Sequence, residues 1–263
     1  MPLVSIHGQD IYFEDSGGSG PPLILGHGFL MDSRMFEPQV LALAPEFRVI
    51  RWDSRALGRT RWDGKPFNLW DSADDCVALL DHLGIDRAVV GGMSLGSHCA
   101  LRMALRHPDR VKGLVLMSTR ITPEEAQQKD IYQDIAKIWS SEGPIEPILH
   151  ILASSFLGDP LRFTTWINHW RVLTGAHVLA AIRCLVDRDD ISKRLKDIRC
   201  PALVLHGAED TTISPSQGEL LSHLLPGSVG FVSIPGASHA ASLTHPEVFN
   251  AHLLEFLRAH AHS

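Results

Sequence analysis

The amino-acid sequence predicts an α/β fold: a mostly parallel sheet flanked by helices, with a helical insertion. Short apolar runs alternate with segments of helical spacing from residue 23 to residue 118, the rhythm of strand–helix–strand units. The rhythm breaks between residues 119 and 198, where helix-like stretches follow one another without a convincing strand. Strand-like runs then resume at Cys200 and continue to a closing helix. The chain is accordingly divided into a first core part over 1–118, an insertion over 119–198 and a second core part over 199–263.

The elements follow in order. Val4–Ile6 and Ile11–Phe13 flank His7-Gly8-Gln9-Asp10, the signature of an antiparallel hairpin, and Ser16 to Pro22 breaks the pattern. Leu23–His27 is a short, nearly continuous apolar run, as expected of a strand covered on both faces. Apolar Phe36, Val40, Leu41 and Leu43 predict a helix over Ser33–Ala44, and Phe47–Trp52 returns as a strand. The polar loop Asp53-Ser54-Arg55-Ala56-Leu57-Gly58-Arg59-Thr60 follows. Ala73, Val77, Leu80 and Leu83 then recur at helical spacing, with Gly84 placed as a C-terminal cap.

Ala88–Met93 is the next strand, and it passes directly into a helix over Leu95–Arg106 that stops before Pro108. Val111–Ser118 is a further strand. In the insertion, Thr122-Pro123-Glu124-Glu125 has the makings of a helix start: a capping side chain, proline in the first turn and acids at the positive end of the dipole. Further helices are expected over Ile145–Leu157, Leu161–Leu173 and Val178–Val186. Cys200–Gly207 and Val229–Ile234 supply the last strands around a helix from Pro215 to Leu225, and Pro246–Ala259 closes the chain.

Composition narrows the function. The chain has 263 residues, 44% hydrophobic and 21% charged, enough to bury a substantial core. A formal charge of −6 without a Lys/Arg run argues against a nucleic-acid surface. The first ten residues have neither a basic start nor an apolar core, and no apolar run is long enough to span a bilayer. A cytoplasmic protein with no membrane partner is expected. Cys76, Cys99, Cys184 and Cys200 show no C-x-x-C spacing, and the 15 histidines are scattered without a metal-binding pair. Neither disulfide, metal nor cofactor is expected.

The chemistry centres on Gly92-Met93-Ser94-Leu95-Gly96, at the junction of strand and helix. A serine on so sharp a turn is held in a strained conformation with its hydroxyl exposed, and side chains two positions away on either side would collide with the turning chain. The hydroxyl needs a base to become a nucleophile. His239 follows a strand and a turn of small residues at the same carboxyl-end edge of the sheet. A carboxylate is then needed to orient that imidazole. Asp210 lies in the loop after the preceding strand, with Glu209 and Asp187 as competitors. His206, at a strand end, and His98, in the helix after Ser94, are expected to be packed or hydrogen-bonded.

With the order Ser, Asp, His in place, the chain resembles the α/β-hydrolase superfamily over nearly its whole length. The resemblance rests on His27-Gly28, Asp53-x-Arg55-x-x-Gly58, the Ser94 elbow, Gly207-x-x-Asp210 and Gly236-x-x-His239. It implies an α/β-hydrolase fold with a mostly parallel eight-stranded sheet and a helical cap over 119–198. It also assigns the catalytic roles to Ser94, Asp210 and His239, with the backbone N–H groups of Phe29 and Leu95 as the oxyanion hole. His27 is expected to hold the oxyanion turn. Two departures stand out: Ala56 and Thr60 replace the glycine and serine of the usual D-x-R-G-x-G-x-S loop, and Ser97 replaces the second glycine of S-x-G-G. The first predicts a loop that takes another path near the pocket.

Within the superfamily the chain is similar to small cofactor-free esterases and lactonases, including 3-oxoadipate enol-lactonase-like proteins. That implies hydrolysis of a small carboxylic ester or lactone through an acyl-enzyme on Ser94. The same triad also serves carbon–carbon bond hydrolysis and perhydrolysis, and a ligand-binding receptor with a residual triad is the alternative outside enzymes. Arg120, at the junction of core and insertion, is a candidate for an anionic substrate group. Trp139, Phe156, Trp166 and Trp170 recur in the insertion, and Trp139 and Trp166 are carried as candidate pocket residues, although aromatics at helical spacing more often fill a core.

Overall fold

The computed structural model describes residues 3–124 and 126–262. Eight strands form one sheet: β1 (Leu3–Ile6), β2 (Gln9–Asp15), β3 (Pro22–Gly26), β4 (Arg48–Trp52), β5 (Ala88–Met93), β6 (Val111–Met117), β7 (Ala202–Gly207) and β8 (Ser228–Ile234). Their spatial order is β1-β2-β4-β3-β5-β6-β7-β8. The β1–β2 and β2–β4 pairs are antiparallel and the rest of the sheet is parallel. The chain is thus an α/β-hydrolase fold with the eight-stranded, mostly parallel sheet that the sequence predicts.

The continuous apolar runs are explained by two buried faces. Leu23, Leu25, Val89, Val115, Leu203 and Leu205 point to one face, packed beneath α1 (Glu37–Leu43), the helices of the insertion and the long C-terminal helix. Ile24, Ile50, Val90, Leu114, Leu116 and Val204 point to the other, against α2 (Leu69–His82) and α3 (Leu95–Arg106). Alternate residues of one run serve opposite layers, which is why the strands lack a polar face.

Between β6 and β7 the described residues form helices without a strand: α4 (Ala126–Glu142), α5 (Glu146–Leu157), α6 (Phe163–Trp170) and α7 (Gly175–Val186), with 3₁₀ turns at Pro160–Arg162 and Ser192–Asp197. Ile191, Leu195 and Ile198 already pack with α2 and α3 beneath the sheet. After β7 come α8 (Pro215–Leu224), α9 (Ala241–Thr244) and α10 (Pro246–His260). No helix is long and apolar enough to cross a membrane among the described residues.

One boundary departs from its sequence signal. The helix expected from Thr122 does not include Thr122, Pro123 or Glu124, and it is described from Ala126, Glu125 lying outside the described residues, because the would-be first turn is used elsewhere. The Thr122 carbonyl accepts from Arg188 Nη2 at 2.7 Å, and Glu124 is drawn into buried ion pairs with Arg120 at 2.8 Å and Arg188 at 2.9 Å. Capping propensity, worth about 1 kcal/mol, yields to the need to pair buried charge.

Candidate active site

Ser94 stands at the corner between β5 and α3 with φ 52° and ψ −106°, a left-handed conformation that costs a residue with a Cβ roughly 1–3 kcal/mol. The corner closes because its glycines let three backbones meet. A Cβ on Gly96 would lie 2.0 Å from the Gly26 carbonyl oxygen of β3, and one on Gly92 would lie 2.4 Å from the Gly96 carbonyl carbon. Ser97, the departure from the second glycine, fastens the corner. Its hydroxyl donates to the Gly92 carbonyl at 2.5 Å and accepts from the Met117 amide at 3.0 Å, joining α3 to β5 and β6.

Backbone hydrogen bonds then run across the carboxyl edge of the sheet. Ser94 N donates to Met117 O at 2.8 Å, Ser118 N to Leu205 O at 2.9 Å, Ala208 N to Ile234 O at 2.9 Å and Glu209 N to Ala237 O at 2.9 Å. The elbow, the loop after β7 and the loop after β8 therefore open at one rim. There His239 Nδ1 donates to Asp210 Oδ2 at 2.7 Å, with both side chains buried. The other carboxylate oxygen accepts from the amides of Thr212 at 2.8 Å and Ile213 at 3.0 Å. Burial opposes ionisation of Asp210, but His239, the approach of His206 and these amides hold its pKa well below the usual carboxylate range.

The turn after β3 is fixed as firmly. His27 Nε2 accepts from the Ser54 amide at 2.9 Å, so its proton sits on Nδ1, which donates to the Gly28 carbonyl at 2.8 Å. Met31 N also donates to Gly28 O at 3.1 Å. Leu30 takes a positive φ of 59°, and its carbonyl accepts the Trp170 indole N–H of α6 at 2.8 Å. Phe29, which carries one of the two expected oxyanion amides, packs edge-on against Tyr132 of α4 at 5.7 Å. The other, Leu95, opens α3 directly after Ser94.

Residues 21–166, more than half of the chain, match the alpha/beta hydrolase fold family. The chain belongs to the α/β-hydrolase family. A provisionally named carbamate hydrolase RutD of Caulobacter sp. (strain K31) is 30% identical over 262 residues, 95% of this chain and 97% of that one. The 3-oxoadipate enol-lactonase 2 of Acinetobacter baylyi is 25% identical, covering 88% of this chain and 86% of its own. Among solved structures, a thermophilic esterase from Thermogutta terrifontis superposes with a TM-score of 0.90 at 30% identity, covering 100% of this chain and 98% of its own. The protein is thus a hydrolase in class.

The loop by which this chain departs from the common hydrolase pattern is held by its own side chains. Asp53 accepts from Ser33 N at 2.7 Å and Arg59 N at 2.8 Å. Thr60 Oγ1 donates to Asp53 O at 2.5 Å and accepts from Tyr12 N at 2.9 Å. Ala56 sits at φ 63°, a left-handed value that glycine adopts without strain. Arg55 forms a fork with the buried Asp75 at 2.6 and 2.8 Å.

The candidate pocket residues of the hydrolase are placed less uniformly. Arg120 directs its guanidinium to Glu124 and Thr122. Trp139 is buried and donates its indole N–H to Leu173 O at 2.8 Å, within the insertion. Trp166 is buried with its ring edge-on to His169 at 5.2 Å. Phe156 packs 5.7 Å from the His239 ring, and its carbonyl accepts from Ala240 N at 2.8 Å. His98 is buried, and desolvation together with Arg188, Arg102 and Arg120 pushes its pKa well down. Trp170 and His206 make contacts that local spacing does not announce. The partner of Trp170 is 140 positions away, while the one local sign for His206 is a polar side chain ending an apolar strand.

Proposed function

We propose that this protein hydrolyses small carboxylic esters or lactones by a serine acyl-enzyme mechanism. The reading is carried by the buried hydrogen bond from His239 Nδ1 to Asp210 Oδ2, 2.7 Å, at the rim on which Ser94 stands in its strained corner. Because a carboxylate only accepts, this bond keeps the proton on Nδ1 and leaves the Nε2 lone pair for the serine. Ser94 attacks the carbonyl carbon while His239 takes its proton. The carbonyl oxygen gathers negative charge, which the amides of Phe29 and Leu95 stabilise. His239 then returns the proton to the leaving oxygen. Water, activated by the same imidazole, releases the acid and regenerates Ser94; in a lactone both products are one molecule.

The insertion acts in this scheme as a cap on the reaction chamber. The carbonyl of Phe156 on α5 and the indole of Trp170 on α6 each hold a loop of the active-site rim.

Labelling with a fluorophosphonate, followed by turnover of short p-nitrophenyl esters and a panel of lactones, tests the mechanism. Ser94 carries the label, Ser94→Ala and His239→Ala lower kcat by more than about 10³-fold, and Asp210→Asn by about 10²–10⁴-fold. A Ser94→Ala variant that folds and turns over normally overturns the assignment.

A further inference from the structure

A second histidine stands against the acid of the proposed triad. His206, on β7 and fully buried, places Nε2 2.9 Å from the Ile213 carbonyl and 3.0 Å from Asp210 Oδ2. A carbonyl oxygen cannot donate, so the proton lies on Nε2, and it is this N–H that faces the carboxylate. Oδ2 is the same oxygen that receives His239 Nδ1. The opposite nitrogen of His206, Nδ1, is buried and has no hydrogen-bond partner. It abuts α8, where a Cβ on Gly218 would come within 2.5 Å of it.

That arrangement is uneconomical as packing alone. An apolar side chain of similar volume would fill the space between β7, α8 and the Phe231 ring, 6.4 Å away, without leaving a buried acceptor unpaired. What the histidine adds is its one N–H, at the underside of the loop that carries Asp210. We propose that His206 is a positioning residue for the hydrolase: through Ile213 O it anchors the 210–213 loop, and through Oδ2 it fixes the carboxylate that orients His239. The Ile213 carbonyl fixes the donor at Nε2, so His206 works from one end of its ring.

Two consequences distinguish this role from support of the fold. Oδ1 of Asp210 is held by the Thr212 and Ile213 amides, so His206 and His239 alone share Oδ2 among the hydrogen-bonding and charge contacts described for it. Removing His206 leaves the oxygen freer to turn away from His239, which lowers kcat. It also leaves more of its negative charge to act on His239, which favours the imidazolium and moves the acid limb of kcat/KM to higher pH. Among the described residues, Tyr132 of α4 also feels the Asp210 charge, and burial pushes its hydroxyl up in pKa. It stays neutral throughout that limb.

The assignment rests on the serine mechanism proposed above, and the two are tested together. His206→Leu removes the donor; His206→Gln restores an N–H at the reach of Nε2, whereas the shorter His206→Asn does not. Each variant is assayed for p-nitrophenyl ester hydrolysis from pH 5 to 9, with thermal melting to score folding. Leu and Asn are expected to lower kcat about tenfold and to raise the acid limb by about half to one pH unit, with Gln restoring both. A folded Leu or Asn variant with the native limb and kcat overturns the role of His206, as does a Gln variant as impaired as Asn. With Ser94→Ala inactive, either result leaves the serine mechanism standing. A fully active Ser94→Ala overturns both.

Discussion

The indole N–H of Trp170 donates to the carbonyl of Leu30 across 2.8 Å, joining α6 to the turn that carries Phe29. Leu30 is held at φ 59°, so the turn is strained and depends on its hydrogen bonds to keep its shape. A neutral hydrogen bond contributes about 1 kcal/mol, which sets the scale at about fivefold in rate if the turn is optimal only when bonded. Trp170→Phe keeps an aromatic ring against Phe156 but removes the donor. It is expected to lower kcat about three- to tenfold with KM little changed, measured by steady-state ester hydrolysis. An unchanged kcat would confine Trp170 to packing.

A second tie between core and insertion responds to pH. Arg34 Nη1 donates to His169 Nε2 at 2.8 Å, which requires a neutral His169 with its proton on the buried, unpartnered Nδ1. Desolvation, then the positive charge of Arg34, lowers the His169 pKa; Asp32 opposes the shift and Arg59 adds to it. The folded state therefore takes up the proton less readily than the unfolded chain, whose histidine titrates near about 6.5. The unfolded state binds more protons below that value, so this contribution is intact above about pH 6.5 and is lost as pH falls toward the lower folded pKa. Protection of the α6 amides, the hydrogen-exchange rate corrected for the base catalysis of exchange itself, should be lower at pH 5 than at pH 8. His169→Gln, which accepts from Arg34 without titrating, should flatten that difference; persistence of the full difference would exclude the tie as its source.

Local spacing discloses the parts of this protein that local sterics determine. The Ser94 corner is legible because Gly92 and Gly96 must lack side chains where β3, β5 and α3 meet. Asp210 and His239 are legible as loop residues after successive strands of a parallel sheet, though their hydrogen bond spans 29 positions. The late start of α4 is not, because Glu124 answers charges on Arg120 and on Arg188, 64 residues away. The departures at Ala56, Thr60 and Ser97 become intelligible only with their partners: Thr60 and Ser97 bond backbone groups far along the chain. Choosing Trp170 over Trp139 and Trp166 as the tryptophan that bonds the turn after β3 likewise needs the position of Leu30.

Glu124 supplies a test of what Arg120 does. Its side chain is 5% exposed, beneath Arg188 at 2% and Arg120 at 13%. Removing the acid leaves two buried guanidinium groups without it, and breaking such a pair by one partner costs about 3–5 kcal/mol. Glu124→Ala should lower the urea-derived stability by that amount. Arg120→Ala should reduce stability while leaving the ratio of kcat/KM for anionic and neutral esters within about twofold, since the guanidinium is engaged internally. A selective loss on the anionic ester would instead place Arg120 against substrate.

Gly96 sets two physical effects against each other. In the first turn of α3, alanine is favoured over glycine by about 1 kcal/mol on helix propensity, which predicts that Gly96→Ala stabilises the protein. The added methyl, however, would lie 2.0 Å from Gly26 O, 2.5 Å from Gly26 C and 2.9 Å from His27 O. Those atoms belong to β3 and the start of the turn it feeds, paired on both sides by β4 and β5, so no side-chain rotation relieves the overlap. Overpacking of this kind costs about 1–3 kcal/mol where neighbours adjust and more where backbone must move. The contact should therefore win. Gly96→Ala is expected to lose more than about 3 kcal/mol in urea denaturation and to abolish fluorophosphonate labelling of Ser94, whereas a stabilised, fully labelled variant would mean that α3 can draw away from β3 without disturbing the corner.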